Sequence, residues 1–99
     1  MNIDYRKPEY QEIAKAMMKE IMYDSGAVNS KEKEKYPLNH LDSIACYAGL
    51  FFHYNPSLLN DENINLICTG EQDEVEEKFK KCKGYSLMMQ SLNAYFDKL

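Results

Sequence analysis

The chain has 99 residues, of which 44% are apolar and 28% are charged, and its formal net charge is −4 at pH 7. This length accommodates one hydrophobic core, so we expect a single domain over residues 1–99 that folds without disulfides or metal. Nucleic-acid binding normally requires clustered Lys and Arg. Acidic residues are in excess here and Arg6 is the single arginine, so we expect no nucleic-acid partner.

The sequence also predicts a cytoplasmic protein that does not contact a membrane. No apolar run approaches the roughly 20 residues that a membrane span needs. The first ten residues, MNIDYRKPEY, lack the apolar core of a secretory signal. The cysteines are odd in number and no two form a C-x-x-C pair, which indicates reduced thiols. They are Cys46, Cys68 and Cys82.

The first helix should begin near Pro8, a residue suited to the first turn, and end before Gly26, a natural left-handed cap. Two adjacent lines of apolar residues predict its inward face. They are Ile13, Met17 and Ile21, and Tyr10, Ala14, Met18 and Met22. Residues 27–37 include an alternation of Lys and Glu that ends before Pro37, which predicts a solvated connection.

The second helix should run from Asn39 as N-cap to about Tyr54, and it carries almost no charge. One face contains Leu41, Ile44, Ala45, Ala48, Phe51 and Phe52. The opposite face contains Tyr47, Leu50 and Tyr54. A helix that is apolar on nearly every side is either central in a bundle or shared with a partner. The small residues Ala45, Ala48 and Gly49 should allow a neighbouring helix to approach closely.

A short third helix should end at Gly70, capped by Ser57 or Asn60. Its expected inward residues are Ile64, Ile67 and Cys68. The segment 64–69, INLICT, fits a short strand equally well by its local pattern. Helix is preferred because no second strand-like segment is present to pair with it.

Residues 71–83 predict a charged helix that ends at Gly84, with acids in its first half and bases in its second. This order matches the helix dipole, and three acid–base pairs stand at i,i+4 spacing. The pairs are Glu74/Lys78, Glu76/Lys80 and Glu77/Lys81. Val75, Phe79 and Cys82 should form the buried stripe. The acidic start could bind a basic surface, although helix physics explains the same charges.

A last helix should run from about Tyr85 to Asp97. Its expected inward residues are Tyr85, Met88, Met89, Leu92, Phe96 and Leu99. If it pairs with the first helix, five methionines form a pliable cluster that either fills the core or forms an adaptable groove. These are Met17, Met18, Met22, Met88 and Met89. The whole pattern predicts an all-α fold, a compact bundle of about five short helices.

No set of residues in the sequence predicts a reactive centre or a cofactor. His40 and His53 lie on one helix and point roughly 140° apart, so they cannot share a metal. Cys46 and His53 are separated by about 10.5 Å of helical rise, too far for two ligands of one zinc. No nucleophile, phosphate-loop or metal motif occurs. We therefore expect no catalytic, metal or cofactor-binding residue and no enzymatic activity.

The preferred functional hypothesis is a small non-catalytic protein that binds a protein partner. The candidate contacts are Tyr47, Leu50 and Tyr54 on the second face, and Glu71, Asp73 and Glu74 at the acidic helix start. One version is a homodimer formed through the second face. Another is an inhibitor or immunity-type protein of bacterial or phage origin whose acidic surface covers a basic site on a nuclease or toxin. The alternatives are a subunit of a larger assembly, and a ligand carrier or enzyme with a pocket lined by Met, Phe and Tyr.

Overall fold

The computed structural model describes residues 4–29 and 36–98, and within these ranges the protein is all-α. Five α-helices form it: α1 (Pro8–Lys19), α2 (Leu41–Tyr54), α3 (Asp61–Thr69), α4 (Gln72–Phe79) and α5 (Tyr85–Asp97). A π-helical turn, Glu20–Asp24, continues α1, and 3-10 turns occur at Ala27–Asn29 and Pro56–Leu58. The predicted helical bundle is confirmed, and residues 64–69 are helical. Within the described ranges, every helix falls short of the length and apolarity needed to cross a membrane.

Helix α2 is central, because it packs along α5 on one side and against the Ala27–Asn29 turn on another, while α1 packs mainly on α3. The first and last helices are therefore not each other's main neighbours. Met18, Met22 and Met88 lie in the common core, so they fill the core rather than line a groove between α1 and α5. The predicted close approach to the small residues of α2 involves a turn, since a Cβ on Gly49 would lie 2.8 Å from the Ala27 carbonyl oxygen.

All five helices contribute to one hydrophobic core, whose centre is aromatic. The ring centroid of Phe51 lies 4.9 Å from that of Phe52, 6.0 Å from Phe79 and 6.2 Å from Tyr85. The predicted inward residues of α3 are buried with them, as are Tyr85, Met88, Leu92 and Phe96 of α5, whereas Met89 is only partly buried. The prediction that Ile13 faces inward is wrong, because 53% of its surface is exposed. Leu99, also predicted to face inward, lies outside the described residues.

The start of α2 differs from the prediction by one residue. His40, not Asn39, is the N-cap, and its Nδ1 accepts a hydrogen bond from the Asp42 N–H at 3.2 Å. The ring of Tyr36 stacks on His40, with centroids 5.6 Å apart and planes 10° from parallel. The Ser43 hydroxyl donates to the His40 carbonyl at 2.6 Å. This stacked ring favours His40 as the cap, an effect that the local preference for Asn did not include.

The charged helix is shorter than predicted. α4 ends at Phe79, and the chain turns through residues 80–84 to Gly84, whose positive φ of +88° starts α5. A Cβ at this position would lie 3.2 Å from the Phe51 Cα, so the turn packs directly on α2. The predicted i,i+4 pairs are also replaced. Lys78 Nζ donates to Asn63 Oδ1 at 2.9 Å, and Lys80 pairs with Glu77 at 3.3 Å.

The structure describes only part of the connection that was predicted over residues 27–37. Its first residues, Ala27–Asn29, form the 3-10 turn that packs on α2. Residues 30–35, which carry the Lys/Glu alternation, lie outside the described residues. The preceding Gly26 has a φ of +71°, consistent with the predicted left-handed end of the first helical segment.

Candidate functional site

A groove lies between the C-terminal half of α2 and the start of α5. It has a volume of about 170 Å³ and is lined by Tyr47, Leu50, Tyr54, Lys83, Gly84 and Leu87. Three of these residues are the predicted contacts of the second face of α2. They share one side of the helix because residues three, four and seven apart in an α-helix fall on one stripe. We call this feature the α2–α5 groove.

The α2–α5 groove has a buried apolar floor and exposed apolar edges. Leu50 is only 6% exposed and forms the floor, whereas Tyr54 is 43% exposed and Leu87 is 39% exposed. Leu87 comes from the side of α5 that faces away from its buried residues Tyr85 and Met88. Two large apolar side chains therefore remain in contact with solvent around one concavity.

One cation lies at the edge of this groove and is held close to it. Lys83 Nζ lies 4.3 Å from the centroid of the Tyr54 ring, a cation–π contact. The Asn55 side-chain amide donates to the Lys83 carbonyl at 3.0 Å and to the Phe51 carbonyl at 2.7 Å. These bonds fasten the α4–α5 turn to the end of α2. Among the residues that the structure describes, Lys83 is the only charged one that lines the groove.

The acidic candidates lie elsewhere on the molecule. Glu71, Asp73 and Glu74 are all exposed at the start of α4, and none lines the α2–α5 groove. Glu71 lines a separate polar cavity together with Asp4 and Arg6. The structure thus brings together the three candidates on α2 and separates them from the three candidates at the start of α4.

Sequence reasoning missed Arg6, which is 8% exposed beside this second cavity. Its Cζ lies 4.7 Å from the centroid of the Tyr5 ring. Its Nε and Nη2 are buried without a hydrogen-bond partner. The only available signal was that Arg6 is the single arginine of the chain, and arginine tolerates burial better than lysine.

The histidines and the most buried cysteine are placed in ways that disfavour nucleophilic chemistry. His40 uses Nδ1 as a helix cap, and His53 is exposed with its ring 5.6 Å from that of Tyr54. Burial raises the pKa of the Cys68 thiol to about 12, so the thiol stays protonated at neutral pH. In residues 4–29 and 36–98, no group of three or more His, Cys, Asp or Glu side chains is placed to hold a metal ion.

No protein-family model, no curated protein and no solved structure matches this chain. The function is therefore inferred from the chain's own side chains.

Proposed function

We propose that the protein is a non-catalytic binding protein and that the α2–α5 groove receives an apolar side chain from a partner protein. The observation that supports this proposal is the exposure of Tyr54 and Leu87 around the buried Leu50. Single exposed apolar residues are normal on protein surfaces. Two of them around one concavity resemble the centre of an interface, where aromatic and aliphatic anchors fill pockets.

The groove also suggests the chemistry of the partner. Its volume of about 170 Å³ suits one side chain rather than a whole helix face. Lys83 at its edge would attract a carboxylate close to that side chain, and such charge complementarity favours specificity and rapid association. The expected ligand is therefore a protein segment with one large apolar residue beside an acidic residue.

The predicted alternative, a carrier or enzyme with a pocket lined by Met, Phe and Tyr, has less support. All four phenylalanines of the chain are fully buried in the core. In the described part of the chain, the lining of a further cavity of about 280 Å³ beside the π-helical turn includes one methionine, Met17, and no aromatic residue. His53 does not line the α2–α5 groove, so it does not converge there with Tyr54.

Two versions of the proposed binding function involve different surfaces. Self-association would use the α2–α5 groove of both copies. An inhibitor or immunity-type protein would use the exposed acids Glu71, Asp73 and Glu74, which lie at the start of α4 and outside the groove. The groove version is preferred because its apolar surface remains uncovered, whereas solvated acids at a helix start stabilise the helix by themselves.

Leu87→Asp is the variant that tests the groove. Leu87 is 39% exposed, so the change should leave the fold intact, whereas Leu50→Asp would bury a charge at a residue that is 6% exposed. Ile13→Asp is the matched control, because Ile13 is an exposed aliphatic residue on α1. Displayed peptides selected on the unmodified protein should contain an apolar residue next to an acid. Their affinity should fall at least about tenfold for Leu87→Asp and stay unchanged for Ile13→Asp.

Sedimentation of the same three proteins tests self-association. If the protein forms a dimer through the groove, Leu87→Asp becomes monomeric while Ile13→Asp remains dimeric. Selected peptides that bind Leu87→Asp as tightly as the unmodified protein would contradict the groove proposal. A dimer that persists in Leu87→Asp would exclude the groove as its interface.

A further inference from the structure

The second cavity has a character opposite to that of the α2–α5 groove. It has a volume of about 320 Å³ and polar walls, and it is lined by Asp4, Arg6, Gln11 and residues 69–72. Pockets that bind small molecules begin at about 300 Å³. We call this feature the Arg6 pocket. It lies between the segment that precedes α1 and the link from α3 to α4.

Arg6 is the part of this pocket that most requires a partner. A guanidinium is charged at every accessible pH, and burying it without an acceptor is costly. Its Nε and Nη2 nevertheless make no hydrogen bond. The nearby Tyr85 hydroxyl is also buried and unbonded, so it does not satisfy them. Burial raises the pKa of Tyr85, and Arg6 opposes that rise by its charge and by a side-chain interaction that does not meet hydrogen-bond geometry.

The local backbone holds Arg6 in place. The Arg6 N–H donates to Asp4 Oδ1 at 2.8 Å, and Gln11 Nε2 donates to the Arg6 carbonyl at 2.5 Å. On the opposite wall, α4 begins at Gln72 with no side chain capping its first turn. The N–H groups of that turn are therefore additional donors for an acceptor in the pocket.

The charges that line the pocket select among possible ligands. The charge of Arg6 attracts a carboxylate to the pocket. Asp4 and Glu71 line the same pocket, so a phosphate dianion would meet two carboxylates and one cation. A ligand that carries both a carboxylate and an ammonium group matches both kinds of charge.

We propose that the Arg6 pocket binds a small zwitterion of the α-amino-acid type, with Arg6 holding its carboxylate and Asp4 and Glu71 holding its ammonium group. Gln11, Thr69 and Gln72 also line the pocket, and their side chains donate to the Arg6 carbonyl, the Asn65 carbonyl and Glu76 Oε1, respectively. This site is independent of the α2–α5 groove, because the two share no lining residue.

The test uses the full chain and five probes: glycine, L-glutamine, acetate, methylammonium and inorganic phosphate. Binding is followed by the backbone amide NMR shifts of residues 69–72 and by the melting temperature. Glycine and glutamine should shift these amides and raise the melting temperature. Acetate should bind more weakly, and methylammonium and phosphate should have no effect. Arg6→Gln should weaken the binding of glycine and acetate about tenfold or more.

Glu71→Gln tests the binding of the ligand's ammonium group separately from the binding of its carboxylate. It should weaken glycine binding but leave acetate binding unchanged or improved, because it removes one of the two carboxylates that hold the ammonium group. Glu71 is exposed, so this variant remains informative if Arg6→Gln fails to fold. Glu74→Gln is the control, since Glu74 is an exposed acid of α4 that does not line the pocket. The proposal is overturned if none of the probes shifts residues 69–72, if the shifts survive Arg6→Gln, or if phosphate binds as well as glycine.

Discussion

Arg6 combines a permanent charge with nearly complete burial. Only 8% of its surface is exposed, and its contact with the Tyr5 ring does not satisfy Nε or Nη2. A buried charge whose donors lack acceptors reduces the free energy of unfolding, and apolar replacements of similar volume are often neutral or stabilising. In the absence of ligand, Arg6 should therefore destabilise the protein, as expected of a residue kept for binding.

We expect Arg6→Met to raise the free energy of unfolding by about 1–3 kcal/mol, because a flexible apolar side chain replaces an unpaired cation. Urea unfolding followed by circular dichroism measures the change. Lys81→Met is the control, since Lys81 is exposed, and it should change the stability by less than about 0.5 kcal/mol. A loss of stability in Arg6→Met would mean that the contacts with Tyr5 and Tyr85 outweigh the cost of burial.

Cys68 should make the stability depend on alkaline pH. Burial raises its pKa from 9.0 to about 12 in the folded protein. Below pH 9 the thiol is protonated in both the folded and the unfolded protein, so its contribution to the free energy of unfolding is fully present. From pH 9 towards 12 the unfolded chain loses the proton first, and stability falls by up to about 1.4 kcal/mol per pH unit. Burial also raises the pKa of Tyr5 and Tyr85 from 10.0, which extends the fall above pH 10.

Unfolding measurements between about pH 8 and pH 10 isolate the contribution of Cys68, because in this range the thiol dominates the change of the free energy of unfolding with pH. The slope should flatten in Cys68→Ala, even though that variant has a lower overall stability from lost packing. Ile67→Ala is the control, because Ile67 is a fully buried residue of the same helix with no titratable group, and it should keep the slope of the unmodified protein. Equal slopes in all three proteins would show that Cys68 does not control the alkaline loss.

In the link between α4 and α5, one glycine allows the turn to pack closely on α2. Gly84 has a φ of +88°, and a Cβ there would lie 3.2 Å from the Phe51 Cα. Gly26 also has a positive φ, +71°, but no atom lies within 4 Å of its added Cβ. The two glycines therefore share a backbone requirement and differ in packing.

We expect Gly84→Ala to lower the free energy of unfolding by about 2–3 kcal/mol, and Gly26→Ala by about 1–2 kcal/mol. The left-handed conformation penalises alanine at both positions, and only Gly84 adds a backbone contact with α2. Urea unfolding of both variants measures the difference. Equal losses would mean that the α4–α5 turn can move away from Phe51 without cost.

The elements could be predicted from sequence where local and tertiary forces agree. α5 has the predicted bounds, and α3 is helical with Asn60 as its cap, accepting from the Asn63 N–H at 2.8 Å. α4 ends early because its last predicted turn instead brings Gly84 onto Phe51, a tertiary contact that the charge pattern does not contain. For the same reason Lys78 bonds Asn63 instead of Glu74.

The candidate site was predictable in part. The spacing of Tyr47, Leu50 and Tyr54 predicts the second face of α2. Leu87 and Lys83, which complete the groove, come from another part of the chain and meet that face only in the folded protein. The Arg6 pocket could not be predicted, because a single arginine carries no periodic pattern and its burial depends on α3, α4 and α5 together.

At the scale of the whole molecule, the core is continuous. One cluster of buried side chains includes residues from every helix, and the Cα radius of gyration is 12.1 Å, close to the roughly 13 Å of a compact chain of about 100 residues. The longest α-helix, α2, has 14 residues, and isolated helices shorter than about 12–15 residues are marginal in water, so the helices depend on packing against each other. The helices should therefore unfold together.

Phe51→Ala tests this cooperativity, because Phe51 is fully buried and its ring meets Phe52, Phe79 and Tyr85. We expect it to lower the free energy of unfolding by about 3–5 kcal/mol through lost contacts and a cavity. Far-UV circular dichroism and tyrosine fluorescence should still report one midpoint. Leu87→Ala is the control and should lose less than about 1 kcal/mol, since Leu87 already contacts solvent. Separate midpoints in Phe51→Ala would show that α1 and α3 form a unit that survives the loss of the aromatic centre.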